Sequence, residues 1–62
     1  MTTDFFVRIY NLVRDNIAED QREGFLSDMI TIFIAQGWEG EEELVGKWPE
    51  YEGALEKATL PF

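Results

Sequence analysis

The sequence predicts an all-α fold, a small three-helix domain whose last helix is broken or kinked near Trp48 and Pro49. Three observations carry that prediction. Apolar residues recur at helical spacing near both ends of the chain. The apolar stretch between them, Phe25 to Trp38, is flanked by a helix start and a helix stop. Pro49 falls inside the last periodic segment, where a helix cannot continue undisturbed.

In the first helix Thr3 or Asp4 is the expected cap, and Phe6, Ile9, Tyr10, Val13 and Ile17 form one stripe. Phe5 and Leu12 lie off that stripe and widen it, which suits either one broad core face or contact with a second copy. Asp4 precedes Arg8 by four residues, the favourable order for a helical ion pair. Asn16 is expected to end the helix in a left-handed conformation, with Ile17 folding back onto Leu12.

Met29, Ile30, Ile32, Phe33 and Ile34 leave a central helix apolar around most of its circumference, so it needs cover on more than one side. Composition alone also allows a buried strand, since Ile, Thr and Phe favour strands. The ends favour a helix from about Gln21 to Gln36. Asp20 to Glu23 has the form of a capping box, and Gly37 followed by Trp38 fits a Schellman ending with Trp38 against Phe33. Gly24 inside the first turns costs roughly 1 kcal/mol relative to alanine, so a later start capped by Ser27 is the alternative.

Gly40 is expected to cap a short helix opening with Glu41, Glu42 and Glu43, where carboxylates meet the positive end of the helix dipole. Leu44, Val45, Trp48, Tyr51, Ala54, Leu55 and Ala58 share a face, with the break at Gly46 to Trp48. Pro49 then opens the last helix, with Glu50 and Glu52 near its start and Lys57 near its end. The tail Thr59-Leu60-Pro61-Phe62 is apolar for a terminus, enough to pack back onto the body or a neighbour.

Sixty-two residues make at most one domain, spanning 1–62. Burial in a chain this short roughly cancels the ordering cost, and small folds add disulfides, a metal or a partner chain. With no Cys and no His, self-association is the default expectation, a homo-oligomer or homodimeric helical bundle built on Phe5, Leu12, Met29, Ile32 and Phe33. The opening MTTDFF lacks the basic region of a secretory signal and the Arg/Ser bias of a transit peptide, which predicts a soluble cytoplasmic protein. The longest apolar run is too short to span a bilayer, so no membrane contact is expected.

Without His or Cys, the commonest general base, the thiol nucleophile and the usual zinc and haem ligands are missing, so no enzyme activity and no cofactor are expected. Ser27, the only serine, is not in a nucleophile elbow. Placing Gly46 at the sixth position of an EF-hand puts Val45 at a ligand position and loses the Asp/Asn spacing. The glycines match no phosphate-binding loop, and Arg8, Arg14 and Arg22 are too few for a nucleic-acid patch.

What remains is charge. The formal net charge is −8, which repels nucleic acid and anionic membranes. The acids fall into two groups, Asp15 to Asp28 and Glu39 to Glu56, and in the second Lys47 is the only base. Glu43 is the acid best placed to pair with it. Unpaired acids destabilise a compact state, so Glu39, Glu41, Glu42, Glu43, Glu50, Glu52 and Glu56 make a candidate docking face for a basic protein partner. Plain solubility accounts for the same charge without a partner. In composition the chain is similar to small acidic inhibitors from phages or mobile elements that imitate DNA. That resemblance implies an inhibitor of a nucleic-acid-binding protein. The alternative is a structural or assembly subunit that homo-oligomerises through its apolar central helix.

Overall fold

The structure, a computed structural model, describes residues 2–59. It is all-α: helix α1 spans Thr3–Arg14, α2 spans Glu19–Ala35, a 3₁₀ turn covers Glu41–Leu44, and α3 spans Tyr51–Thr59. No strand occurs among the described residues. The expectations for the tail Leu60-Pro61-Phe62 lie outside them.

Helix α1 starts one residue earlier than expected. Thr2 is its cap, in extended conformation, and the side chain accepts a hydrogen bond from the Phe5 amide at 3.2 Å. Thr3 is thereby freed from capping and bonds elsewhere, to Trp38 and Glu43. Asp4 and Arg8 pair at 3.0 Å on the exposed side. The helix does not end in a left-handed residue, since no non-glycine has positive φ among the described residues. Instead Asp15 continues in a right-handed conformation, and Asn16 Nδ2 donates to the Leu12 carbonyl at 3.3 Å. Leu12 therefore stays uncovered.

The capping box expected at Asp20 to Glu23 does not form. The turn after α1 is so short that the chain re-enters a helix at Glu19, leaving Ala18 as a cap with no side-chain hydrogen bond. Asp20 and Ser27 both lie inside α2, and Glu23 reaches across to Lys57 of α3 at 3.6 Å. The far end matches the Schellman pattern. Gly37 has φ +98°, its amide bonds the Ile34 carbonyl at 3.0 Å, and the Trp38 amide bonds the Phe33 carbonyl at 3.0 Å. Trp38 then meets Phe33 edge to face, centroids 5.9 Å apart.

Gly40 precedes the 3₁₀ turn as expected. Gly46, with φ +89°, reverses the chain after it. Pro49 and Glu50 form the turn leading into α3, and the Glu50 carbonyl accepts the first helical bond, from Ala54 at 3.1 Å. The regular helix thus begins two residues later than the proline.

Helix α2 is the centre, packed most closely on α3 and bordered by α1. The core joins Phe6 and Tyr10 of α1, Leu26, Met29, Ile30 and Phe33 of α2, Trp38 and Leu44 of the connection, and Trp48, Tyr51 and Ala54. Met29 and Phe33, expected at an oligomer interface, are buried here. The reason is aromatic packing. Phe6 stacks on Trp38 at 4.5 Å and meets Phe33 edge-on at 4.8 Å, while Tyr10 meets Trp48 edge-on at 4.6 Å. Such pairs contribute about 0.5–1.5 kcal/mol each beyond the area they bury. Among the described residues no helix is long and apolar enough to cross a membrane.

Candidate functional site

The acidic face expected from the sequence divides into three environments. Glu39, Glu42, Glu43, Glu52 and Glu56 are exposed. Glu52 and Glu56, four residues apart on α3, lie opposite its buried Tyr51 and Ala54. Glu39, Glu42 and Glu43 surround the 3₁₀ turn.

Glu43 is only partly free. Trp38 Nε1 donates to Thr3 Oγ1 at 3.1 Å, and that hydroxyl donates to Glu43 Oε2 at 3.0 Å. The relay fastens the start of α1 to the 3₁₀ turn. Gly40 lies directly under it: a β-carbon there would sit 2.0 Å from Thr3 Oγ1 and 2.7 Å from both Glu43 Oε2 and Trp38 Nε1. The helical pair expected between Glu43 and Lys47 is absent among the described ion pairs, because Lys47 belongs to the turn that Gly46 makes. Its ammonium lies 5.9 Å from the centroid of the Trp48 ring.

Glu41 is half-buried. Its carbonyl accepts from the Tyr51 hydroxyl, and its Oε2 is enclosed without a hydrogen-bond partner. Burial, with the Glu41 charge adding to it, pushes the Tyr51 phenol up to about 12.

Glu50 lies in a third environment, apart from the exposed glutamates. Its side chain is 12% exposed and is gripped by Arg14, whose Nε and Nη2 donate at 2.7 and 3.2 Å. The Tyr10 hydroxyl donates to the same carboxylate at 2.6 Å. The Arg14 hydrogen bonds hold Glu50 down to about 2 against the opposing effect of burial, with Tyr10 adding to the depression. Burial and the Glu50 hydrogen bond push the Tyr10 phenol well above its usual range, and Glu50 likewise raises Arg14. Near neutral pH the triad is fixed as carboxylate, guanidinium and neutral phenol, a structural tie rather than a proton relay.

A shallow cleft of about 270 Å³ opens beside this triad between the end of α1, the start of α2 and Pro49. It is lined by Arg14, Arg22 and the carboxylates of Glu19, Asp20, Glu23 and Glu50. Arg22 Nε donates to the Arg14 carbonyl at 3.0 Å, so one arginine caps the other's helix. Sequence reasoning missed both arginines as structural anchors. A link between residues 36 apart leaves no local signature. Among the described residues no three carboxylates converge as metal ligands do, at Glu41 to Glu43 or elsewhere.

Of the residues expected at an oligomer interface, Phe5, Leu12 and Ile32 are exposed and Met29 and Phe33 are not. No protein-family description, no curated protein and no solved structure matches this chain.

Proposed function

We propose that this chain is a non-enzymatic, cytoplasmic binding protein that docks a basic protein partner through the glutamates around the 3₁₀ turn and α3. Its sharpest form is an inhibitor, of phage or mobile-element type, that occupies a nucleic-acid-binding protein by presenting carboxylates where that protein expects phosphates. One observation carries the reading. Glu39, Glu42, Glu52 and Glu56 are exposed and none pairs with another described residue, although the chain has bases available and uses them elsewhere. Arg14 is committed to Glu50, Arg22 to a helix end, Lys57 to Glu23 and Lys47 to Trp48. A fold that leaves four carboxylates without counter-charge tolerates self-repulsion that a cationic surface would relieve.

The test is a column of immobilised chain loaded with host lysate and eluted with salt, beside the same column carrying Glu39→Gln, Glu42→Gln, Glu52→Gln and Glu56→Gln together. Wild type should retain basic proteins that leave at moderate salt. The variant should retain them at least tenfold less well. Equal retention by both removes the reading. A second reading, a structural subunit that homo-oligomerises, is favoured by the exposure of Phe5, Leu12 and Ile32.

A further inference from the structure

Among the described residues six large apolar side chains are exposed, and four of them gather on one side. Phe5, Ile9 and Leu12 recur at i, i+4 and i+7 along α1, and Phe25, Met29 and Ile32 recur at the same spacing along α2. The two stripes border each other. The Phe5 ring lies 6.2 Å from Phe33 of α2, and the Phe25 ring lies 6.5 Å from Tyr10 of α1. Phe5 is 48% exposed, Leu12 74%, Phe25 40% and Ile32 59%, with buried Met29 as the floor and half-buried Ile9 beside it.

We infer that this α1/α2 face is the seam of a homodimer, occupied by the same face of a second copy. The inference deepens the self-associating reading above and is independent of the glutamate surface. It keeps Phe5, Leu12 and Ile32 of the expected interface and adds Phe25, with Met29 beneath them and Phe33 in the core.

Charge selects the occupant. Two copies carrying −8 each repel wherever their glutamates meet. The six side chains of this face are neutral, and its rim bears the exposed Arg8–Asp4 pair beside the α1 stripe and exposed Asp28 beside the α2 stripe. A two-fold seam sets this same face against itself, so Arg8 is the base on hand to offset the rim acids. A basic partner is drawn instead to Glu39, Glu42, Glu52 and Glu56. Area agrees. A face two helices wide and about 18 Å long, the length of a twelve-residue helix, buries on the order of 1,000 Å² when paired with itself. That is the lower bound for a specific interface. A patch of roughly 500 Å² per copy is of the size that often marks an interaction site.

Molar mass by light scattering across a concentration series is the test, on wild type and on Leu12→Glu, Ile32→Glu and Val45→Glu. Val45 is 50% exposed and lies outside the groove, so its variant is the control. The expected result is a wild-type dimer, a dimer for Val45→Glu, and for the two groove variants a dissociation constant at least tenfold weaker with helical circular dichroism retained. A wild-type dimer that both groove variants leave intact overturns the seam but spares self-association. A wild-type monomer at every concentration overturns both and leaves the face to a different partner. Amide chemical shifts of the wild-type chain on dilution test the same point without substitution. They should move along Phe5 to Leu12 and Phe25 to Ile32, and movement confined to Glu41–Thr59 overturns the proposal.

Discussion

At the scale of single residues, Glu50 carries the clearest consequence. In the unfolded chain a glutamate titrates at its ordinary 4.5, whereas Glu50 in the fold holds its charge down to about 2. As pH falls the unfolded chain takes up the proton first, so the contribution is complete above pH 4.5 and disappears as pH approaches 2. After allowing for solvent at its open side, Glu50→Gln should cost about 2 kcal/mol at pH 7. It should also flatten the loss of stability between pH 4.5 and 2, which denaturant melts at several pH values would read. Gly40→Ala should destabilise by about 2 kcal/mol or more, because the added carbon displaces the Trp38, Thr3 and Glu43 hydrogen bonds together. Glu41→Gln has the opposite sign. It removes the charge from an enclosed side chain whose Oε2 has no hydrogen-bond partner, which lowers its burial cost and should stabilise by roughly 0.5–1 kcal/mol. None of these three roles is legible locally. Glu50 sits where a helix dipole favours an acid, and only the fold supplies Arg14 and Tyr10.

At the scale of elements, local signals succeed where the chemistry is local. Gly37 with Trp38 specifies its ending correctly because a Schellman turn is settled within six residues. The start of α2 misleads for the converse reason. Asp20 and Glu23 satisfy a capping pattern, but the brevity of the turn at Asp15 to Ile17 places the cap at Ala18, and tertiary pairing takes Glu23 to Lys57. That cap can be improved. Ala18 has φ −58° and ψ 142°, an extended conformation suited to a capping side chain, so Ala18→Asp should add about 1 kcal/mol. In a domain this small the midpoint of thermal unfolding should rise by about 4–8 °C. Gly24 lies within α2 with open space around its missing β-carbon, and Gly24→Ala should contribute another ~1 kcal/mol. A lower melting temperature in either variant would contradict a helix that begins at Glu19 and runs unbroken through Gly24.

At the scale of the molecule, the all-α class is legible because period and punctuation agree along the whole chain. Which apolar residues face inward is only half legible. A helix as evenly apolar as α2 does not reveal which side α1 and α3 will cover, so Met29 and Phe33 cannot be told from Ile32 by spacing. The tyrosines set an alkaline limit for the whole fold. Unfolded tyrosine loses its proton near 10, but Tyr51 keeps its own to about 12 and Tyr10 resists further. Above pH 10 the unfolded chain therefore binds fewer protons than the fold, and stability should fall as pH rises, with Tyr51→Phe reducing the slope.

Apart from the Arg22 bond to the Arg14 carbonyl, the side-chain hydrogen bonds described between α1 and the rest of the chain share one property: Thr3 to Trp38 and Glu43, Tyr10 and Arg14 to Glu50, and Asn11 to Trp48 all join residues 35 to 40 positions apart. The first helix is therefore the last to be secured. During synthesis these partners leave the ribosome only after α2 is complete, and until Glu50 emerges Tyr10 and Arg14 have no carboxylate to hold. A chain truncated after Gly46 lacks Trp48 and Glu50 and should carry a formed α2 beside a loosely docked α1, with the residues from Lys47 through α3 converting that pair into one cooperative unit.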